Sequence, residues 1–181
     1  VVGPTGVGKT DFGIDLARRI GGEIINADSR QVYRYMDIGT AKPSAAQQLL
    51  VKHHVIDVVD PDQPFNLSSY LDLAVAAIGD ITGRGKIPIL VGGTGQYLWA
   101  VLEGWRVPCV PPDHEYRHRL ECRAACEGYD SLHRELAHAD PEAARLIDPR
   151  NVRRVIRALE VCQNTGERFS ALRRKHTPTS N

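Results

Sequence analysis

The stretch GPTGVGKT, Gly3 to Thr10, decides the fold. It satisfies G-x-x-x-x-G-K-T and lies between the apolar pair Val1-Val2 and a helical pattern, the strand, loop and helix setting in which this motif cradles phosphate. Glycines let successive backbone N–H groups converge on phosphate oxygens, and the helix start adds positive potential. Lys9 adds a point charge, and the Thr10 hydroxyl can ligate Mg²⁺. The expected phosphate loop is thus Gly3, Pro4, Thr5, Gly6, Val7, Gly8, Lys9 and Thr10.

Working outward, residues 9–20 predict a helix with Phe12, Leu16, Ala17 and Ile20 on one face and Gly21-Gly22 as its stop. EIINAD (23–28), HVIDVV (54–59) and IPILVGG (87–93) read as strands, the last fully buried, while Asn66 and Ser68 offer caps for a helix over 68–82. Apolar strands alternating with helices predict an α/β fold, a P-loop NTPase-like parallel sheet covered by helices. The run GWRVPCVPPD (104–113) carries three prolines, and beyond it the pattern is helical only. Caps are expected at Asp113 and Asp140-Pro141, and NVRRVIRALEVCQN (151–164) predicts an amphipathic helix ended by Gly166. The expected division is an α/β core over 1–105, a small all-helical inserted lobe over 106–150, and a return helix to the core over 151–181.

A chain of 181 residues with 42% hydrophobic content can bury one domain, or one domain with a small lobe. Cysteines stand only at 109, 122, 126 and 162, which is unlike a disulfide framework, and no secretory signal or membrane-length apolar run is present. A reducing cytoplasm is the expected location. Net charge is +1, yet residues 1–105 hold 9 Lys/Arg against 11 Asp/Glu while 106–181 hold 14 against 11. The basic excess of the second half permits an anionic partner such as RNA. The opening VVG reads as the end of a strand that begins earlier, and the basic tail RRKHTPTSN ends abruptly, so a fragment of a longer protein is expected.

The phosphate loop alone fits a kinase or a nucleotide hydrolase. Asp28, after the second strand, stands at the carboxyl edge of the sheet, where it could hold Mg²⁺ through water, act as a general base, or cap the next turn. After IPILV comes GGTGQYL (92–98), and no acidic residue of the kind a nucleotide hydrolase needs follows that strand. Thr94 could offer its hydroxyl to a leaving diphosphate or cap a helix. HEYRH (114–118) matches a zinc-protease pattern continued by Cys122 and Cys126, but all four ligands would stripe one helix, so a polar helix is the preferred reading. In RNVRRVIRALE, Val152, Val155, Ile156 and Leu159 form the apolar stripe, and Arg150, Arg153, Arg154 and Arg157 crowd the other faces, where phosphates or solvent would receive them.

Taken in order, GPTGVGKT, NADSRQVYRYMDIGTAKP, GGTGQYL and the RRVIRALE helix ending in NTG closely resemble the tRNA dimethylallyltransferase (tRNA isopentenyltransferase) family. The resemblance covers nearly the whole chain, although family members continue into a further helical region. It implies that the N6 amine of the adenosine beside the tRNA anticodon attacks C1 of dimethylallyl diphosphate and expels diphosphate. The loop of residues 3–10 would hold the diphosphate with Mg²⁺ on Thr10, Asp28 would accept the N6 proton, and Thr94 would touch the diphosphate. Arg157, or its neighbour Arg154, would meet phosphates from the lobe side, with Arg153 on the RNA. Ser29, Arg30 and Gln31 would line the adenosine side, and the lobe would grip the anticodon stem-loop of a flipped-out nucleotide. A monomer with no membrane partner is expected. The rival readings are a small-molecule P-loop kinase, a prenyltransferase acting on free adenine nucleotides, and an RNA-binding fragment without activity.

Overall fold

Strand β1 (Gly22–Asn26) is the centre of a three-stranded parallel sheet. It pairs on one side with β2 (His53–His54), Ile24 facing His53, and on the other with β3 (Ile87–Val91), Ile24 facing Ile89. The computed structural model describes residues 1–4, 6–105, 107 and 110–172. Val2 adds a parallel bridge to Gly92 beside β3, so the chain enters the phosphate loop from the sheet, as the motif requires. Helix α1 (Lys9–Ile20) follows the loop and ends at Gly21, whose φ of 68° is the left-handed conformation that glycine supplies cheaply.

The buried face of α1 differs from the expected one. Gly13, Ile14 and Ala17 are buried, while Phe12 and Ile20 are exposed. Gly13 sets this face, because a Cβ there would lie 2.9 Å from a Val91 methyl, so only glycine lets α1 come this close to β3 without displacing that side chain. The cluster of Ile14, Ala17, Ile24, Val51, Ile89 and Val91 fills this layer.

The predicted strand over 54–59 is mostly absent. Val55 (φ 58°) and Asp57 (φ 53°) adopt left-handed conformations that break the pairing after His54. The following residues bind a different segment: Val58 and Val59 donate to the Val32 carbonyl, and Arg34 N–H donates to Val59 O. The expected fully buried strand is Ile87–Val91, with Ile87 exposed and Ile89 and Val91 buried.

Helix α2 (Ala45–Leu50) carries a capping box between Ser44 and Gln47. Helix α3 (Leu67–Gly83) is capped by Asn66, whose side chain accepts from Ser69 N–H, and α4 (Gly95–Leu102) follows the second glycine turn. Tyr70 of α3 stacks on Tyr97 of α4 at 3.8 Å and 11°, within the core cluster that includes Ile25, Val32 and Ile81.

Val1–Gly104 form one compact unit, and the described residues from Trp105 onward form a second. The second contains α5 (His114–Glu127), α6 (Tyr129–Ala139), α7 (Pro141–Leu146), α8 (Val152–Thr165) and the short α9 (Phe169–Leu172). Asp113 caps α5 and Asp140 caps α7, with Pro141 in its first turn. Asp140 is fully buried, and it also accepts from Ser170 N–H and Oγ, both at 2.7 Å. Helix α8, expected as a return to the sheet, has its apolar stripe in the helical unit: Val155, Ile156 and Leu159 pack with Leu120, Leu132 and Leu136.

Candidate phosphate and acceptor site

The phosphate loop turns through left-handed φ at Gly6 (84°) and Gly8 (78°) and passes directly into α1. Gly8 is the N-cap residue and supplies no side-chain cap, so the N–H groups of the first turn face the loop mouth. Lys9 Nζ donates to Pro4 O at 2.6 Å across that mouth. Thr5, expected in the cradle, lies outside the described residues.

Asp28 is held by its neighbours. The buried Asn26 side chain accepts from Asp28 N–H at 3.1 Å and donates to Asp28 O at 3.1 Å and to Val55 O at 2.9 Å. Asp28 Oδ1 accepts from Arg30 N–H at 2.9 Å, so the turn-capping reading holds for one carboxylate oxygen. Gly92 presses on the same segment: a Cβ there would lie 2.2 Å from Ala27 O.

Thr94 is the N-cap residue of α4, but its hydroxyl makes no cap bond. It accepts instead from Ser29 N–H at 2.9 Å, while Thr94 N–H donates to Ala27 O at 3.0 Å. Two bonds therefore tie the second glycine turn to the 27–29 turn. Tyr97, in the same helix, has its phenol pushed up to about 12 by burial, with Tyr33 and Asp28 adding to the shift.

A cleft of about 190 Å³ joins these parts. Gly6, Gly8, Lys9 and Thr10 line it on the loop side, and Asp28 and Gln31 line it on the other. Ser29 is half-buried and Arg30 exposed in the turn beside it. Gln31 Nε2 donates to Thr40 O (3.0 Å) and Ala41 O (3.1 Å), and Lys42 Nζ reaches Tyr33 O (2.8 Å), Asp37 and Asp57 (both 2.6 Å). The DSRQVY and GTAKP blocks are thus one cross-braced loop. Thr10, Asp11 and Asp28 line the same cleft, Asp11 with one carboxylate oxygen already accepting from Gln47 Nε2 at 2.6 Å, and oxygen-bearing side chains of this kind fit a hard divalent cation such as Mg²⁺.

A second acidic group, Glu23, His54 and Asp80, has its ligand atoms close enough to share a metal, but its charge is already matched. The buried Glu23 carboxylate accepts from both Arg84 Nη atoms (2.5 and 2.7 Å), from Lys86 Nζ (2.8 Å) and meets His54 Nε2 (2.7 Å). Arg84, then Lys86 and His54, hold this carboxyl well below the usual carboxylate range against the opposing cost of burial. This is an ion-pair cluster.

In the helical unit, Arg153 and Arg154 are exposed on α8, and Arg157 is half-buried. Arg157 Nη1 donates to Glu160 at 2.5 Å and to Val110 O at 3.1 Å. Sequence reasoning missed Asn26, Glu23 and Glu160. The only acidic residue in the arginine-rich stretch 150–160 was a readable sign of the last. His114, His118, Cys122 and Cys126 lie along α5, where Cys122 Sγ approaches His118 Nε2 at 3.7 Å.

A phosphate loop entered from a parallel sheet, sharing a cleft with an aspartate just beyond the carboxyl end of the central strand, defines an α/β protein of the P-loop class. Within that class the chain belongs to the IPP transferase family: the model of that family matches residues 31–181, and an isopentenyl transferase model matches residues 1–56. It is 60% identical to the tRNA dimethylallyltransferase of Chloroflexus aurantiacus over 98% of this chain and 60% of the relative. It is 58% identical to that of Herpetosiphon aurantiacus over 98% of this chain and 56% of the relative. Among solved structures, a eukaryotic dimethylallyltransferase described as acting on tRNA superposes with a TM-score of 0.76 at 33% identity, covering 94% of this chain and 42% of that one. The full-length tRNA isopentenylpyrophosphate transferase of Bacillus halodurans gives a TM-score of 0.58 at 48% identity, covering 92% and 55%. The chain therefore spans between half and two thirds of the curated relatives it matches. No described helix is long and apolar enough to cross a membrane.

Proposed function

We propose that this chain carries the catalytic part of a tRNA dimethylallyltransferase, which moves a dimethylallyl group from dimethylallyl diphosphate to N6 of the adenosine adjoining the anticodon and releases diphosphate. The observation that carries the reading is that Asp28 shares one cleft with Lys9 and Thr10. The loop N–H groups and Lys9 receive the negative charge that grows on the diphosphate as its bond to C1 breaks. The N6 lone pair forms the new bond to C1, and Asp28 takes the N6 proton. Bound Mg²⁺, held by Thr10, supplies charge neutralisation to the diphosphate. Thr94, through its tie to Ser29 N–H, keeps the turn of Asp28 beside the glycine turn. The half-buried Gln31 and its neighbours Ser29 and Arg30 face the adenosine, flipped from its stack. Arg153, Arg154 and Arg157, with the lobe over 106–150, take RNA or diphosphate phosphates from the helical side. The enzyme works as a cytoplasmic monomer.

Family membership favours this reading over the P-loop kinase. The deciding assay is diphosphate release from dimethylallyl diphosphate with Mg²⁺, with and without unmodified tRNA, and with ATP as control. Release that depends on tRNA is the expected result; ATP hydrolysis without prenyl transfer would overturn it.

A further inference from the structure

Helix α5 presents two different faces. Tyr116, Leu120 and Ala124 pack into the core of the helical unit. His114, His118, Cys122 and Cys126 stand two residues away from that stripe, about 200° round the helix axis, and all four are exposed. Nitrogen- or sulfur-bearing side chains at intervals of four residues therefore share one solvent face, on which residues i and i+4 are neighbours. In the middle pair the two ligand atoms already meet: His118 Nε2 lies 3.7 Å from Cys122 Sγ. Neither side chain has another hydrogen-bond partner among the described residues.

Core packing does not account for that contact. Water is free to satisfy both exposed groups, and a thiol is a weak donor, so a thiol hydrogen bond has little to hold it. A tetrahedral zinc ion, with bonds of about 2.05 Å to nitrogen and about 2.3 Å to sulfur, sets those two atoms about 3.6 Å apart. The observed spacing is thus that of a chelating pair. The carboxylates of α5 answer arginines instead: Glu115 pairs with Arg119, Glu127 with Arg123, and Glu121 stands in the field of Arg117. We propose that His118 and Cys122 form a surface site for a borderline-soft divalent cation, Zn²⁺. Among the described residues no third ligand atom of the chain is gathered at this pair, so water completes the coordination. Binding forms one Zn–N and one Zn–S bond and sends the thiol proton to solvent, so one proton leaves per ion. Nitrogen and sulfur donors select against Mg²⁺, which sets this site apart from the oxygen-bearing cleft of the first unit.

The test uses the full chain, reduced and free of added thiol, with Co²⁺ as the spectroscopic probe and Zn²⁺ as competitor. Expected are a sulfur-to-cobalt charge-transfer band that saturates at one equivalent, its loss when Zn²⁺ is added, and its persistence in excess Mg²⁺. Near neutral pH, affinity should rise about tenfold per pH unit, the slope of one displaced proton. Cys122→Ser should abolish the band, and His118→Ala should weaken Zn²⁺ binding at least about tenfold, whereas His114→Ala and Cys126→Ser should bind as the wild type does. All four side chains are exposed, so the metal-free melting temperature should not move, and a lost band reports a lost ligand. No band in excess Co²⁺ would reduce the contact to a thiol hydrogen bond. A band that survives Cys122→Ser, or that Cys126→Ser also removes, would overturn the assignment of these ligands. Displacement of Co²⁺ by Mg²⁺ would overturn the nitrogen and sulfur donor set.

Discussion

Gly92→Ala is the sharpest test of how the sheet edge is built. A Cβ at residue 92 would lie 2.2 Å from Ala27 O, 2.3 Å from its carbonyl carbon and 2.8 Å from its Cα. Those atoms are backbone, so no rotamer change relieves the collision, and the two segments must separate by about 0.8 Å to restore even a 3.0 Å approach. Separation strains the bond from Ala27 N–H to Val91 O (2.8 Å) and that from Thr94 N–H to Ala27 O (3.0 Å). The expected cost is about 3 kcal/mol, the upper end of overpacking, which at a urea slope of about 2 kcal/mol/M moves the midpoint by about 1.5 M. Hydrogen exchange at the Ala27 and Thr94 amides should speed up, and activity should fall because Asp28 is the next residue. Two other glycines serve as comparisons. Gly93→Ala meets only Gly3 O at 3.6 Å and should stay within about 1 kcal/mol of wild type, whereas Gly13→Ala meets a Val91 methyl at 2.9 Å and should cost an intermediate amount, about 1–2 kcal/mol. A Gly92→Ala protein within about 0.5 kcal/mol of wild type would refute the close approach.

Asp28→Asn, whose Oδ1 can still accept from Arg30 N–H, should lower turnover about 10²–10⁴-fold with little change in melting temperature; unchanged turnover would remove Asp28 as the base. Because Glu23 is held below its ordinary pKa, its contribution to stability is full above about pH 4.3 and fades as pH falls below that towards its depressed folded value. Glu23→Gln should cost about 2 kcal/mol at pH 7, less than a sealed pair because Arg84 and Lys86 can rehydrate, and acid titration of stability should show a shallower decline. An equally steep decline in the variant would exclude Glu23 as its source. Lys42→Met should cost about 1–2 kcal/mol and expose the 33–42 loop to limited proteolysis, since that side chain is 3% exposed and anchors Tyr33 O, Asp37 and Asp57. Unaltered cleavage kinetics would count against that brace.

Features set by local chemistry were legible in the sequence. The phosphate loop, the glycine stops at Gly21 and Gly166, and the caps Asn66, Asp113 and Asp140 each depend on a few neighbouring residues, and each stands where it was expected. What depended on tertiary contact was not legible. HVIDVV has strand composition, but the left-handed residues Val55 and Asp57 redirect it to Val32 and Arg34, partners more than twenty residues away. Phe12 fits a helical apolar stripe, yet the close approach at Gly13 turns α1 so that Phe12 faces solvent. Within the site, Asp28 and Thr94 were readable as polar residues at strand ends, and the bond from Ser29 N–H to the Thr94 hydroxyl ties their two turns together. Asn26, which fixes the Asp28 backbone, read only as part of an apolar strand, because its partners Asp28 and Val55 meet it through the fold.

Strand β1 holds Glu23 near its start, and Asp28 follows its end. The strand itself ends at Asn26, and five residue steps separate Glu23 from Asp28, so their Cα atoms lie at most about 17 Å apart. One end of the strand fastens the sheet by charge, and the other opens onto the cleft. The Glu23, Arg84 and Lys86 end can therefore be re-engineered for heat or acid without touching a residue that lines the cleft.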